Sequence, residues 1–538
     1  MNIKEILKET IKESLKQLDI NTDKEILIEV PKNTEFGDYS SNIALLLSKE
    51  LKQNPFDIAN NIKEHINNEN IEKVEVVRPG FINFYVNKKY LFDNINKILE
   101  EKESYGKSNY GNNKKINLEY VSANPTGTLH IGHGRGAAYG DNLSRILKFI
   151  GYDVTREYYV NDAGNQIVNL GLSVKERYKE QCGLDFERPE NGYFGKEIIE
   201  LAKNIYNNYK DTKLNEDLEF FKKESVQILL DQIKKDLDKF RINFDVFTSE
   251  QSIYDNQIVD KILEKLKQSN KCFIEENALW LKTTVYTDDK DRVLIKSDGT
   301  YTYFLPDIAY HYHKFSRGYD QLIDVFGADH YGYINRLKSA MEIIGEDRNK
   351  LDIKILQMVR LIKDGEEFKM SKRTGISVTL MDLVEEIGIN ACRYFFASKS
   401  LDSQMDLDLD LAVKNSNENP VYYIEYANAR ICSILRNNKL DQNIKNYDTI
   451  TNEIAYNILK KLYEFEEIVI SAGEKQLPHL IANYIYELTT LFHSYYANEK
   501  IVSDDEIYTK QRINLIAAIK IVINNSLNLI GVIPREEM

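Results

Sequence analysis

The sequence is poor in cysteine and proline and has no long apolar run. Its four cysteines, Cys182, Cys272, Cys392 and Cys432, lie far apart and form no CxxC pair. That argues against a disulfide framework or a cysteine-ligated zinc site, and it suits the reducing cytosol. Nine prolines in 538 residues are few for a long disordered tail. No apolar stretch reaches the roughly 18 residues needed to cross a bilayer, so no membrane partner is expected. The amino terminus, MNIKEILKETIKES, is charged from its fourth residue and lacks the apolar core of a signal peptide. The expected location is therefore cytoplasmic. A basic excess is missing too: 71 Lys and Arg stand against 84 Asp and Glu, a net charge of −13. Phosphate contacts need lysine and arginine, so composition by itself does not support a nucleic-acid partner. Only a contact face must be basic, however, and whole-chain charge does not describe faces.

What is present is the composition of a soluble globular protein, with 42% hydrophobic and 29% charged residues. At roughly 150 residues per domain, the length suits three or four domains. Residues 2–18 place Ile3, Ile6, Leu7, Ile11, Leu15 and Leu18 at helical spacing. EILIEVP (25–31) alternates like a strand, and GDYSSNIALLLSKEL (37–51) reads as a helix stopping before Pro55. VEVVRPGFINFYV (74–86) reads as two short strands joined at Pro79-Gly80. These make a compact α/β unit to about residue 88, followed by a polar, glycine-containing linker at 101–115. Strands and helices then alternate: INLEYV (116–121), a helix over 132–149, a strand around Val154–Val160, then QLIDVF (321–326) and IKILQMVRLI (353–362). Such alternation predicts a parallel, doubly wound sheet. Residues 165–270 read as charged helices inserted between its halves. VLIK-SDGT-YTYF (293–304) reads as a hairpin turning at Asp298-Gly299. From Pro420 to the end the pattern is a separate helical bundle.

Two stretches carry chemistry. Glu119–Arg135, EYVSANPTGTLHIGHGR, lies where a strand gives way to a helix. Such a turn exposes backbone N–H groups and the positive helix end, which suits a nucleotide phosphate. Gly132 lets an adenine lie against the backbone, and His130 and His133 would aim imidazoles at a phosphate. EEFKMSKRTG (366–375) holds Lys369 and Lys372 between Gly365 and Gly375, two ammonium groups able to follow a triphosphate as charge builds on it. Each stretch also has a purely structural reading, as a tight turn and as a solvated basic loop.

HIGH followed by KMSK resembles class I aminoacyl-tRNA synthetases. The surrounding EYYVNDAGNQI (157–167), FLPDIAYH (304–311), FGADHYGY (326–333) and NPVYYIEYANAR (419–430) resemble the arginyl-tRNA synthetase family in particular. So do GDYSSN (37–42), RPGFINF (78–84) and the ending GVIPREEM (531–538). The resemblance covers the whole chain, with small departures at Thr128, where that family often has Pro, and at Asn428, where it often has His. It implies a Rossmann-like catalytic domain at 112–375 with the helical insertion, and an additional tRNA D-loop domain at 1–100. A stem-contact connection would follow at 376–415, and an all-α anticodon-binding domain at 416–538. It implies ligation of L-arginine to tRNA(Arg) with ATP, Mg²⁺ arriving on the nucleotide, no protein-bound metal, and a monomer. The implied catalytic residues are His130, His133, Lys369 and Lys372. ATP would lie against Thr126, Gly127, Leu129, Ile131, Gly132, Met370 and Ser371. Glu119, Ser122 and Asn124 would hold the amino-acid end of arginine, with Tyr303 and Asp307 lining its side-chain pocket and Asp307 facing the guanidinium. Phe81, Asn83, Tyr426, Arg430 and Met538 would touch tRNA, although Phe81 and Phe84 also fit the core of alternating strands. Members of this family generally need tRNA before they activate the amino acid. Three other readings compete: a small-molecule nucleotidyltransferase, a non-catalytic relative, and a synthetase for another amino acid.

Overall fold

The computed structural model describes the chain except residues 1–2, 32–33, 194, 329–331, 369–377, 442 and 445. Lys369, Met370, Ser371 and Lys372 therefore lie outside the described residues. The amphipathic start forms α1 (Ile3–Gln17), burying Ile3, Leu7, Ile11 and Leu15. Residues 25–31 are not the expected strand. They run extended with Ile26 and Ile28 inward, but only Glu29 bonds across, to Ser40. Alternation alone records an extended segment lying on a surface; a strand also needs a ladder partner. The pairing goes instead to β1 (Tyr39–Ser41), β2 (Ile71–Val77) and β3 (Phe81–Val86), in the order β1-β3-β2, all antiparallel. α2 (Ile43–Leu51) is followed by a helix the sequence reading missed. Asn54 caps α3 (Pro55–Glu64) by accepting from the Phe56 N–H, and Pro55 opens it, where its lacking N–H costs nothing. α4 (Lys88–Glu101) follows.

The central sheet comprises β4 (Lys115–Glu119), β5 (Asp153–Val160), β6 (Val246–Ser249), β10 (Gln321–Gly327) and β11 (Leu351–Leu356), ordered β11-β10-β4-β5-β6. Every pairing in it is parallel. Between β4 and β5 runs α5 (Ile131–Phe149). Between β5 and β6 come α6 (Asn165–Gln181), α7 (Lys196–Tyr209) and α8 (Leu218–Lys239), a helical layer with its own core around Leu170, Tyr178 and Phe221. The stretch 165–270 is thus not wholly an insertion, because β6 within it is an edge of the central sheet. α9 (Glu250–Asp255) and α10 (Ile258–Gln268) lead to a small antiparallel sheet of β7 (Cys272–Glu275), β8 (Ala278–Leu281) and β9 (Arg292–Ile295). The Asp298-Gly299 turn forms, but its second arm is only a bridge at Tyr301. Phe304 instead opens α11 (Phe304–Ser316), where Phe304, Leu305, Ile308 and Ala309 are buried at helical spacing. That continuous apolar face outweighs the strand preference of the aromatics. α12 (Tyr333–Ile343) connects β10 to β11.

α5 and α11 cover opposite faces of the sheet, as strand alternation shows. In β4 and just beyond, Tyr120 packs beneath Gly140 of α5, while Glu119 meets Tyr310 and Lys314 of α11. The strands from β4 to β5 to β6 step one way, and β10 and β11 step the other. The order therefore reverses between β4 and β10, and in such sheets ligands bind outside the carboxyl ends at that reversal.

A third small sheet, β12 (Val359–Lys363), β13 (Glu366–Glu367) and β14 (Met405–Asp408), has the order β13-β12-β14. α13 (Leu380–Ile387) and α14 (Ile389–Ala397) are separated by Gly388 at φ +82°. α15 (Leu409–Val413) precedes the helical end: α16 (Pro420–Asn437), α17 (Glu453–Tyr463), α18 (Phe465–Glu474), α19 (His479–Asn498) and α20 (Glu506–Leu529). The chain does not divide serially. One compact unit joins residues 1–105 with 431–464 and 490–522; the other holds 106–430, 465–489 and 523–538. In the first unit Tyr90 lies against Tyr463, ring centroids 5.2 Å apart, and the Ile3 N–H donates to the Tyr463 hydroxyl at 2.9 Å.

Candidate active site

The loop between β4 and α5 is tightly wound. Val121 and Ser122 have φ of +70° and +37°, a costly conformation for a β-branched residue. The Ser122 N–H donates to the Tyr120 carbonyl at 3.0 Å. The turn is held from several sides: Ser122 Oγ donates to Glu119 Oε1 at 2.9 Å and accepts the Tyr159 N–H at 3.0 Å. The Tyr158 hydroxyl donates to the Ala123 carbonyl at 2.7 Å.

The HIGH residues begin α5 as a reciprocal cap. His130 Nδ1 accepts the His133 N–H, and His133 Nδ1 accepts the His130 N–H, each at 3.3 Å. Their rings stack with centroids 3.6 Å apart. A nitrogen that accepts carries no proton, so both rings keep their proton on Nε2. Burial lowers both pKa values, His133 to about 3 with help from its neighbour. The pair is therefore neutral at physiological pH and offers two N–H donors, not two charges. Beside it is a cleft of about 670 Å³ lined by Ser122, Asn124, Thr126, Gly127, His130, Gly132 and His133, and across from them by Phe326, Gly327, Gln357 and Met358. A side chain at Gly132 would start 3.0 Å from the His130 ring, so glycine there keeps the cap intact. Leu129 and Ile131 do not line the cleft. Leu129 is 1% exposed, and its carbonyl accepts the Leu380 N–H at 2.8 Å, tying the loop to α13. Gly327, Gln357 and Met358 were missed in the sequence. They follow β10 and β11, so strand order was the signal that would have found them.

The expected arginine residues sit at the same sheet end. Glu119 is 5% exposed, and its carboxylate is already engaged by the protein: Oε2 accepts from Tyr310 at 2.7 Å and from Lys314 Nζ at 2.8 Å. Asn124 is linked to two residues not singled out before, accepting from Asn161 Nδ2 at 2.6 Å and donating to Gln166 at 2.7 Å. Asp307, in the first turn of α11, accepts from the Tyr333 hydroxyl. Tyr303 precedes it, 72% exposed. Sequence reasoning also missed Glu250. Burial first, then the charges of Asp307 and Asp162, raise its pKa to about 7. Glu250 thus lies close enough to Asp307 and Asp162 for their like charges to disfavour its ionised form.

In the first unit, Phe81, 37% exposed, and Asn83, buried, line a cleft of about 450 Å³ with Arg78, Phe36 and Val30. Asn83 accepts from Ser40 Oγ at 2.7 Å. Phe84 is wholly buried and belongs to the core. Along α16, the Arg430 guanidinium stands 4.5 Å from the Tyr426 ring centre. Met538 lines a third cleft with Tyr422, Asn390 and Arg535. Asn428 donates to the Arg535 carbonyl at 2.7 Å, so it clamps the carboxyl-terminal tail.

Comparison with known proteins bears on all of these regions. The arginyl tRNA synthetase N-terminal domain matches residues 5–86, the class I (R) tRNA synthetase catalytic domain residues 94–430, and the DALR anticodon binding domain residues 424–538. The arginine–tRNA ligase of Bacillus subtilis (strain 168) is 48% identical over 551 residues, covering 100% of this chain and 99% of that protein. That of Staphylococcus carnosus (strain TM300) is 47% identical over 542 residues, covering 98% of each. The arginyl-tRNA synthetase structure from Thermus thermophilus has the same fold, with a TM-score of 0.78 at 20% identity over 99% of this chain and 100% of that one. The chain belongs to the arginyl-tRNA synthetase family.

Proposed function

We infer that this chain activates L-arginine with ATP and transfers the arginyl group to tRNA(Arg). The substrate carboxylate attacks the α-phosphate of ATP and expels pyrophosphate, giving arginyl-adenylate; a terminal ribose hydroxyl of the tRNA then displaces AMP. The nucleophile is the substrate itself, so the protein supplies position and charge stabilisation. ATP enters the cleft at the β4–β10 reversal, its phosphates against the α5 amino terminus. The neutral Nε2–H groups of His130 and His133 donate to phosphate oxygens, and Thr126, Gly127 and Gly132 line the nucleotide. Mg²⁺ arrives with ATP. Lys369 and Lys372 of the KMSK motif meet the triphosphate, together with Met370 and Ser371. Asp307 and Glu250 take the guanidinium, which prefers paired carboxylate acceptors. Asn124 and Ser122 meet the amino-acid end, and Glu119 holds Ser122. Phe81 and Asn83 contact tRNA in the amino-terminal domain, and Tyr426, Arg430 and Met538 in the helical one. We assign 1–100 to the tRNA-binding N-terminal domain, 112–375 to catalysis, 376–415 to stem contact and 416–538 to anticodon binding. The protein works in the cytoplasm as a monomer.

The observation that carries this reading is the reciprocal histidine cap beside its cleft at the carboxyl end of the sheet, with the like-charged Asp307 and Glu250 near each other on α11 and on the helix that follows β6. ATP–pyrophosphate exchange with each amino acid, with and without tRNA, tests it. Arginine alone should support exchange. Exchange driven by another amino acid, or none with arginine and cognate tRNA together, overturns the reading.

A further inference from the structure

Helix α11 carries Asp307, Tyr310, His311 and Lys314 at i, i+3, i+4 and i+7, one stripe along its axis. Asp307 belongs to the arginine pocket. The other three turn to the end of β4 and the middle of β10, where Glu119 and Asp324 are register partners. Lys314 donates to both carboxylates, at 2.8 Å to Glu119. His311 lies between two acceptors: Nδ1 is 2.7 Å from the Asp307 carbonyl, and Nε2 is 2.9 Å from Asp324 Oδ2. His311 is 3% exposed, and Lys314 and Asp324 are fully buried.

A neutral imidazole has one N–H. Its other nitrogen would turn a lone pair toward an oxygen at 2.7 or 2.9 Å, away from water that would relieve the repulsion. Only the imidazolium satisfies both acceptors. The surrounding charges agree. His311 faces Asp324 on β10, Glu119 on β4 and Lys314 on its own helix, with the Tyr310 ring beside it. Behind them Glu157 on β5 pairs with Arg317. Three carboxylates stand against Lys314 and Arg317, so a charged His311 brings the buried group to neutrality. Burial opposes that charge, but the hydrogen bond and charge of Asp324 outweigh it and leave the His311 pKa above its ordinary value.

We propose that His311 is a permanently charged positioning residue for arginine: its imidazolium ties the Asp307 carbonyl to Asp324 beside Glu119, and so fixes the span between the guanidinium pocket and the strand end that meets the amino-acid end of the substrate. His311 touches no substrate. It sets a length, and a fixed length separates arginine from homologues one methylene longer or shorter. The proposal rests on the function inferred above.

Two measurements test it. In the full-length protein labelled with ¹⁵N-histidine, one ring should keep both nitrogens protonated at pH 7.5, where an ordinary histidine is about nine-tenths neutral. The His311→Gln spectrum identifies that ring by its absence. A neutral His311 at that pH overturns the proposal whatever the enzyme's activity. In aminoacylation assays, His311→Gln keeps one donor and loses the charge. It should raise the KM for arginine about tenfold, the effect expected of one charge-assisted contact, and narrow the preference for arginine over homoarginine. The kcat and the KM for ATP should stay within about threefold. An unchanged arginine KM, or a uniform fall in all parameters with lowered thermal stability, overturns it. If the unsubstituted protein shows no arginine-dependent activity, the functional reading fails instead, and the ring spectrum still decides the protonation state.

Discussion

In the arginine site proposed above, Glu250 is the residue that meets solution pH. Its pKa is raised to about 7 by burial, then by Asp307 and Asp162, whereas the guanidinium it would bind stays charged throughout the accessible range. Arginine favours the ionised carboxylate, so binding should release a proton and strengthen as pH rises through 7. The KM for arginine should climb by up to about tenfold per pH unit below 7, while the KM for ATP stays nearly flat; Glu250→Gln should remove the slope and weaken arginine binding. The stability sign runs the other way. A raised pKa contributes stability fully present below the unfolded value of 4.5 and lost as pH climbs through about 7. Thermal stabilisation by arginine should accordingly be larger at pH 8 than at pH 6, and equal shifts would refute the assignment. The HIGH histidines act in the opposite sense: burial lowers both pKa values, so they stay neutral near pH 7, and as pH falls below the ordinary 6.5 the unfolded chain takes up protons that the folded one refuses and stability declines. With little charge from them, the proposed mechanism leaves much of the triphosphate's compensation to the KMSK lysines. Lys372→Ala should lower the adenylation rate about a hundredfold or more with little change in arginine KM; an intact turnover with only a raised arginine KM would refute that role.

Among the elements, α5 bears the tightest geometric demand. A methyl at Gly140 would start 2.2 Å from Cγ of Tyr120. That ring is fully buried and packed against Phe244, centroids 4.5 Å apart, so it has nowhere to swing. Gly140→Ala gains about 0.8–1 kcal/mol in helix propensity, but overpacking a rigid core costs about 1–3 kcal/mol. The clash should win, and the thermal midpoint should fall by several degrees; an unchanged or raised midpoint would show that α5 can shift off the sheet. Element type was readable wherever period and length agreed, as in α1, α5, β4, β5 and β10, whereas the single strand expected at 353–362 is β11 and β12, which belong to different sheets. It failed where one signal stood alone. Residues 25–31 alternate without a ladder. Tyr301, Tyr303 and Phe304 are aromatic, but a buried helical face takes over at Phe304. The short strand β6 was hidden among charged helices because its membership depends on a neighbour, β5, far away in sequence.

On the scale of the whole molecule, the amino-terminal region does not stand alone. It forms one compact unit with residues 431–464 and 490–522. The Tyr447 hydroxyl donates to Asn96 at 2.7 Å, and Lys460 pairs with Asp38. Deleting residues 1–88 would leave most of α4 in place but strip from α17 the Ile3 contact to Tyr463 and the Asp38 contact to Lys460, so a truncation confounds folding with recognition. Phe81→Ala is the cleaner probe. It should leave the melting curve unchanged and weaken tRNA binding by about 1–3 kcal/mol if a base stacks there, with exchange at saturating tRNA preserved. Unaltered tRNA affinity would remove the amino-terminal cleft from the RNA path. Activation itself is the broadest prediction. Exchange should be nearly silent until tRNA is added, through docking contacts that favour the activation-competent state of the site. Equal exchange in enzyme rigorously freed of tRNA would sink this.

By itself the sequence determined whatever is local. The HIGH turn is a cap closed within four residues, KMSK is a contiguous motif, and helical spacing marks the helices; none needs a distant partner to be recognised. Family resemblance added the residues expected to touch arginine and RNA. Only the tertiary structure decided which charges meet. Glu250, on the short helix after β6, faces Asp307 of α11. Lys314 neutralises Glu119 across the sheet, and His311 spans two acceptors from different elements. The partners of Glu119 and Glu250, like the linkage of residues 431–464 to the amino terminus, are set by packing between segments tens to hundreds of residues apart. The energy of a buried charge depends on those neighbours far more than on its own flanking sequence.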